Sequence, residues 1–387
     1  MKTSAGNPWI KSILKEAPVS RKLISPSALG GKDSCLLRYA LSSLGDEFVK
    51  YTPPTYFNSW GNVYHALREK AFTKQKYDTI LAQELLSEDK TNEKDWLRRR
   101  LVPLANLRPV KEKIAIDYKR NRANLPDVES SVRSDHIFEY IREKVFPQSG
   151  IKSKLPFRGR IDCIVPWHDG SYIIRDYKSG SVFEPKRPGT IKEAYIRQLH
   201  AYALLTEENY GSLPKRMELI DERGVTHVVS YNETTAREVI DEAYKKIALI
   251  DDVLRSYIAG EDTQRFCTLL DECCEYCQVK PYCSTYWTEA QGIKFTNVYS
   301  ADITGHIISM FQGYSPYNTA VLDLKVGNSR VISLLFAKQI IETHPILSDW
   351  ISGKIPNGTR IYILSAKPAR SRTQFELKDD TVICMDS

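Results

Sequence analysis

The chain has 387 residues, which is more than one hydrophobic core usually serves, so we expect two domains. A composition of 42% hydrophobic and 27% charged residues excludes a disordered chain and a fibrous repeat. The formal net charge of +7 fits an anionic partner such as nucleic acid, without identifying one. There is neither an apolar run of the roughly 20 residues that span a bilayer nor a signal-peptide core, so we expect a cytoplasmic protein without membrane contact.

Helical spacing dominates the first part of the chain. Ser25 and Pro26 resemble the start of a helix that would carry Cys35. A second helix is expected at 58–75. Residues 76–145 are polar and charged with the same spacing, which indicates a helical insertion.

The periodicity then changes to that of strands. Residues 157–167 and 170–180 are short β-rich runs joined by a His-Asp-Gly turn, and residues 190–207 return to helical spacing. A hairpin follows at 217–231 and a long amphipathic helix at 233–259. This order predicts a mixed α/β domain.

Residues after about 289 predict a smaller all-β domain. Strands are expected at 303–311, 318–325, 329–336, 359–366 and 373–385, with a helix at about 337–351. Five strands with a helix between the third and fourth follow the order of an OB-fold barrel, so we expect an OB-like barrel. Such barrels often bind single-stranded nucleic acid through aromatic and basic side chains, and the candidates are Phe311, Tyr314, Arg370 and Arg372. Docking of another protein is the alternative.

Two acids and a lysine fall in the two β-rich runs. A hairpin would bring Asp162 and Asp176 together, and two such carboxylates repel each other unless a cation lies between them. Mg²⁺ or Mn²⁺ suits this position, because these hard cations take oxygen ligands. Lys178 lies two positions after Asp176 and therefore shares its face of the strand, where it can stabilise charge on a phosphate. The alternative is a strand that ends in surface charges.

Four motifs in one order resemble the RecB-like branch of the PD-(D/E)xK nucleases, over roughly residues 22–287. They are Gly61-Asn62-Val63-Tyr64-His65, Gly159 to Asp162, Asp176 to Lys178, and Gln198-Leu199-His200-Ala201-Tyr202. The resemblance implies a restriction-endonuclease-like α/β core with the catalytic residues Asp162, Asp176, Lys178, Gln198 and Tyr202. It also implies a metal held by His65, Asp162, Asp176 and the Tyr177 carbonyl. The alternative for His65 is an ordinary buried or surface histidine whose hydrogen bonds are satisfied and which binds no metal. The alternative for Tyr202 is a role in core packing alone.

The cysteines form a second pattern, since five of the eight lie between Cys267 and Cys283. A reducing compartment argues against disulfides and for a metal site. Cys274-x2-Cys277-x5-Cys283 with the distant Cys35 resembles the iron–sulfur nucleases of this branch, which include AddB-type and CRISPR-associated RecB-like exonucleases. The resemblance implies a [4Fe–4S] cluster on Cys35, Cys274, Cys277 and Cys283. Zinc is the alternative, and the nearby Cys267 and Cys273 leave the register open.

These patterns predict a nuclease domain over 1–288 and an OB-like domain over 289–387. The expected function is metal-dependent hydrolysis of DNA, as an exonuclease on single-stranded or end-containing DNA. Its setting would be DNA repair, recombination or defence against foreign DNA. The sequence has no phosphate-binding P-loop motif, so a helicase would be a separate partner. A catalytically silent scaffold that binds nucleic acid or protein, and an RNA-directed nuclease, are the alternatives.

Overall fold

The computed structural model describes residues 24–31, 35–44, 55–70, 76–93, 103–123, 157, 159, 161–167, 169–268, 274, 277–312, 319–327, 330–337, 348–349, 352–371, 373–377 and 381–385. The helices are α1 (Leu36–Ser42), α2 (Tyr56–Lys70), α3 (Tyr77–Glu93), α4 (Arg108–Ala123), α5 (Glu193–Tyr210), α6 (Glu233–Ala259) and α7 (Ser284–Ala290). The first strands are β1 (Cys163–Pro166), β2 (Tyr172–Tyr177), β3 (Phe183–Glu184), β4 (Arg187–Ile191), β5 (Arg216–Ile220) and β6 (Thr226–Val229). The later strands are β7 (Ile293–Asn297), β8 (Ser300–Gln312), β9 (Thr319–Val326), β10 (Arg330–Ala337), β11 (Arg360–Pro368), β12 (Gln374–Glu376) and β13 (Val382–Met385). In the part of the chain described, no helix is long and apolar enough to cross a membrane.

The predicted helix start at Ser25 and Pro26 is instead a short 3₁₀ turn, Pro26–Ala28. The Ser25 hydroxyl lies 2.8 Å from that of Ser27 and caps no backbone N–H group, so nothing at this point extends the turn into a helix. Cys35 lies at the N-cap of α1, one residue before that helix rather than inside it.

A four-stranded sheet in the order β1-β2-β5-β6 forms the centre of the N-terminal part. Strand β2 pairs antiparallel with β1 and parallel with β5, and β5 pairs antiparallel with β6. The parallel pair requires a crossover, and α5 supplies it. Alternate residues such as Ile174, Met217 and Leu219 are buried in one core with α5 and α6. The predicted mixed α/β fold is therefore present.

Helix α6 begins and ends where the sequence predicts, at residues 233 and 259. The side chain of Asn232 accepts the backbone N–H of Thr235 and so caps the first turn. Gly260 adopts a left-handed conformation with φ of 71°, which ends the helix without strain.

Helices α2, α3 and α4 pack around a separate hydrophobic cluster that includes Trp60, Tyr64 and Val110. Tyr177, at the end of β2, packs against this cluster and so connects it to the sheet. Helices α3 and α4 account for much of the predicted insertion, and residues 124–145 of it lie outside the described residues.

The C-terminal strands close into a five-stranded barrel. The order β8-β9-β10-β12-β11 returns to β8 through the β11–β8 pairing, with β10 and β12 parallel. Its core includes the fully buried Ile303, Leu324 and Phe375. The barrel is consistent with an OB-like domain. Two details differ from the prediction, because β7 was not expected and the expected last strand is two strands, β12 and β13. Most of the predicted helix at 337–351 falls outside the described residues.

A buried polar cluster joins the cysteine-rich segment to the barrel. The Nζ atom of Lys280 lies 2.6 Å from Oδ2 of Asp302, which also accepts the Tyr286 hydroxyl at 2.7 Å. The other carboxylate oxygen accepts the backbone N–H of Ser365 in β11. Lys280 and Asp302 are both almost fully buried, so this ion pair belongs to the interior of the junction.

Candidate active site

The two acids of the site lie across the β1–β2 hairpin from each other. Cys163 pairs with Arg175, so Asp162, one residue before β1, lies level with Asp176. The backbone N–H of Tyr177 donates to Oδ2 of Asp162 at 2.9 Å, which fixes that carboxylate beside the end of β2.

Lys178 is the first residue after β2 and lies beside the two acids. Its backbone N–H donates to the Ile220 carbonyl at 2.8 Å, which holds it against the end of β5. Its Nζ atom lies 2.5 Å from Oδ2 of Asp176 and donates to Oε1 of Gln198 at 2.8 Å. The ammonium group therefore has two fixed partners within a largely buried environment.

Helix α5 contributes Gln198 and Tyr202, one turn apart on the face directed at the sheet. The Nε2 atom of Gln198 donates to Oδ1 of Asp176 at 3.2 Å and to the Tyr202 hydroxyl at 3.1 Å. Gln198 thus contacts both members of the Asp176–Lys178 pair, and Tyr202 is connected to them through it.

His65 reaches the site from α2. Its Nδ1 atom lies 3.3 Å from Oδ2 of Asp162. Burial alone would lower the pKa of His65, but the hydrogen bond and negative charge of Asp162 outweigh burial and raise it. The structure therefore brings His65 together with the carboxylates, although it lies on a different element.

Glycine at position 159 has a steric reason. A Cβ atom added there would lie 2.7 Å from Pro26 Cδ and 3.0 Å from Tyr202 Cε1. The 3₁₀ turn and α5 therefore approach the chain just before Asp162 as closely as only glycine permits.

The environments of the two acids push their pKa values apart. Burial, assisted by the charge of Asp162, raises the pKa of Asp176 to about 6, although Lys178 opposes this shift. The pKa of Asp162 is lowered despite its burial, because His65 and the Tyr177 N–H stabilise its charge. The pKa of Lys178 is raised, since the charge of Asp176 outweighs burial. At neutral pH the site holds a charged Asp162 and a protonated Lys178, and the raised pKa of Asp176 lies between its ordinary value and neutrality.

The donor set suits a hard divalent cation. Two carboxylates and one imidazole offer the oxygen and nitrogen ligands that Mn²⁺ accepts, and the oxygens suit Mg²⁺. In the part of the chain described, no three His, Cys, Asp or Glu side chains already converge as a ligand set. Instead His65 is bonded to Asp162, and Asp176 to Lys178. The expected role of the Tyr177 carbonyl stays a prediction.

Two residues near Lys178 were missed from the sequence. The Tyr195 ring centroid lies 4.3 Å from the Nζ atom of Lys178 and 5.2 Å from that of Lys192. One signal was available, because Tyr195 lies three positions before Gln198 and so on the same helical face. Lys192 in turn lies three positions before Tyr195 at the start of the same helix, so its contact with the ring is local.

The cysteines form a second candidate site, away from the acids. A cavity of about 290 Å³ is lined by the expected Cys35, Cys274, Cys277 and Cys283, and also by Cys267. A hydrogen bond to Cys267, together with burial, raises the pKa of Cys35. A hydrogen bond to Cys283 and burial likewise raise the pKa of Cys267 to about 11. Cys273 lies outside the described residues.

The expected nucleic-acid residues of the barrel are only partly described. Phe311 lies in β8, and Arg370 is exposed just after β11. Tyr314 and Arg372 lie outside the described residues. Their predicted role stays a prediction.

One comparison with known proteins identifies a family. A family model described as the PD-(D/E)XK nuclease superfamily matches residues 23–284. A crystal structure from Eubacterium rectale, named "Putative exonuclease", is 11% identical, with 61% of this chain and 82% of that chain covered and a TM-score of 0.34. No curated protein matches the sequence significantly.

Proposed function

Because the chain belongs to the PD-(D/E)XK nuclease superfamily, we propose that it is a Mg²⁺- or Mn²⁺-dependent deoxyribonuclease. We propose further that it is an exonuclease on single-stranded or end-containing DNA. The observation that carries the proposal is the bonded set of Asp176, Lys178 and Gln198 beside Asp162. An acid pair with one strongly raised and one lowered pKa is typical of a catalytic site.

Lys178 acts as a fixed cation in this proposal. Its raised pKa keeps it protonated at neutral pH, so it stabilises negative charge on the phosphate rather than accepting a proton. Gln198 and Asp176 hold its Nζ atom on two sides, which limits the positions that the ammonium group can take. Tyr202 supports Gln198 through its hydroxyl.

The carboxylates and His65 hold the metal in this proposal. Asp162 and Asp176 supply oxygen ligands, and His65 supplies a ring nitrogen once it has released its hydrogen bond to Asp162. The bound metal would polarise the phosphoryl oxygen and lower the pKa of the attacking water. Because the pKa of Asp162 is lowered, this carboxylate is already charged at neutral pH and can bind a cation without first losing a proton.

We also propose a [4Fe–4S] cluster in the cysteine-lined cavity. Cys35, Cys274, Cys277 and Cys283 all line this space, which is the observation that supports a shared ligand set, although the described thiols do not yet converge on one point. Cys35 precedes α1 and the others follow α6, so the cluster would tie the two ends of the nuclease region together. Its role would be structural. Zinc on the same thiolates is the competing proposal.

The barrel and the setting complete the proposal. An OB-like barrel would guide single-stranded DNA through Phe311, Tyr314, Arg370 and Arg372. A separate helicase would supply the strand, in DNA repair, recombination or defence. RNA as substrate, or a silent scaffold, are the competing functions.

The test is degradation of end-labelled single-stranded DNA, double-stranded DNA and RNA with Mg²⁺, Mn²⁺ or EDTA. Lys178→Ala should lower the rate at least about 100-fold and leave binding intact. Cutting that persists in EDTA, or in Lys178→Ala at the wild-type rate, would refute the proposal. Degradation of RNA alone would favour the RNA-directed nuclease. Binding without cutting by the metal-loaded protein would favour the scaffold.

A further inference from the structure

A cation without an acidic partner lies at the rim of the candidate active site. Lys192 is the N-cap residue of α5, and its Nζ atom donates to the Ser181 carbonyl at 2.7 Å. Among the residues that the structure describes, no carboxylate oxygen lies within 4.0 Å of this ammonium group. An ammonium group has three protons to donate, so two remain for a ligand after the bond to Ser181.

Three other lysines near the sheet each form an ion pair with a carboxylate. Lys178 is paired with Asp176, and Lys113 with Glu222 at 2.9 Å. At the opposite end of β5, Lys215 is paired with Asp169 at 2.6 Å. Lys192 differs from these three lysines because it has no ion-pair partner among the described residues.

The acids closest to Lys192 in the sequence, Glu184 and Glu193, form no ion pair with it within 4.0 Å. The carboxylate of Glu184 accepts a hydrogen bond from the backbone N–H of Glu193 at 3.2 Å, in the first turn of α5. Glu193 is exposed. The start of an 18-residue helix adds partial positive charge at this point.

Tyr195 connects this cation to the catalytic machinery. One aromatic ring has Lys178 Nζ at 4.3 Å and Lys192 Nζ at 5.2 Å from its centroid. Both ammonium groups therefore contact the same ring, and each is attracted to it. In the proposed function Lys178 contacts the scissile phosphate, so a second lysine on this ring is placed to contact a neighbouring phosphate of the strand.

We propose that Lys192 binds the backbone phosphate adjacent to the scissile phosphate. The ligand class is the phosphodiester backbone of a single strand, and the contact carries no sequence information. This inference rests on the proposed function, in which Lys178 contacts the scissile phosphate.

Binding of a fluorescein-labelled single-stranded DNA, followed by anisotropy in EDTA, tests the inference without cleavage. Lys192→Ala should weaken binding about tenfold. It should also reduce the slope of log affinity against log salt by about 0.7, because one phosphate contact is lost. Lys192→Arg should keep the slope. Lys215→Ala is the matched control, since it removes an equal charge from a lysine that is already paired. Equal affinities and slopes for Lys192→Ala, Lys215→Ala and wild type would overturn the inference.

Cleavage of oligonucleotides with one neutral methylphosphonate identifies the phosphate. In the wild type, a methylphosphonate next to the scissile bond should lower kcat/KM about tenfold, whereas in Lys192→Ala it should have no further effect. An equal penalty in both proteins would overturn the inference and leave the nuclease standing. A wild type that cuts nothing would refute the proposed nuclease and with it the position next to a scissile phosphate, and the anisotropy result would then decide only whether Lys192 contacts a backbone phosphate.

Discussion

Lys178 Nζ and Gln198 Oε1 lie 2.8 Å apart, although one residue follows a strand and the other lies in a helix. The same Gln198 side chain donates to Asp176 through its Nε2 atom. One amide group therefore makes a hydrogen bond to the cation and another to the anion of a buried ion pair. Because an amide offers both a donor and an acceptor, glutamine fits here where a hydrocarbon or a carboxylate would not.

Replacing Gln198 should test this positioning role. Gln198→Ala leaves Lys178 with one fixed partner, so we expect kcat to fall about 10- to 100-fold with little change in KM. Steady-state kinetics on single-stranded DNA measure both constants. Asn209→Ala on the same helix is the control, because the Asn209 side chain donates to the Leu205 carbonyl and contacts none of the described site residues. A kcat for Gln198→Ala that matches this control would contradict the role.

Acid should inhibit the enzyme by competing with the metal. Burial raises the pKa of Asp176 to about 6, so this carboxylate is protonated below that pH and charged above it. At limiting Mn²⁺ the rate should therefore rise with pH through this region. More Mn²⁺ should move the midpoint to lower pH, because metal and proton compete for the same groups. His65, with its raised pKa, titrates in the same direction.

Profiles of kcat/KM against pH at several Mn²⁺ concentrations provide the measurement. No loss of rate is expected just above neutral pH, since the pKa of Lys178 is raised. A midpoint that stays constant as Mn²⁺ increases would show that proton and metal do not compete, and would remove Asp176 from the ligand set.

The features that the sequence predicts correctly depend on short stretches of chain, namely the register of one hairpin and the ends of one helix. Alternating β-rich runs around a turn place Asp162 level with Asp176, because hairpin register follows from the strands themselves. The limits of α6 follow from Asn232 and Gly260, whose chemistry starts and stops a helix.

The contacts that could not be predicted depend on tertiary packing. Lys178 meets the Tyr195 ring only because α5 packs against the end of β2. Strand β7 was missed because its residues are half-buried or exposed and carry only a weak apolar alternation. The Lys280–Asp302 pair joins two regions of the chain, and no periodicity in either region indicates the other.

The cysteine cavity should contain iron in protein purified without oxygen. Cys277→Ser is expected to lower bound iron from about four atoms per chain to less than one, and to remove the brown colour. Metal analysis and visible absorbance measure this change. Cys163→Ser is the matched control, because Cys163 is equally buried but lies in β1, outside the cavity. A colourless wild type that contains stoichiometric zinc and no iron would contradict the iron–sulfur cluster and support a zinc site on the same cysteines.

Breaking the buried pair between Lys280 and Asp302 should destabilise the protein far more than breaking an exposed pair of the same length. Asp302→Asn would leave the Lys280 ammonium group buried without its carboxylate, which we expect to lower the free energy of unfolding by about 3–5 kcal/mol. Urea unfolding measures this loss. The control is Glu376→Gln, because Lys367 and Glu376 are also 2.6 Å apart but roughly half exposed. That change should cost under about 1 kcal/mol. Equal losses of unfolding free energy in the two variants would show that burial does not make the Lys280–Asp302 pair more costly to break than an exposed pair.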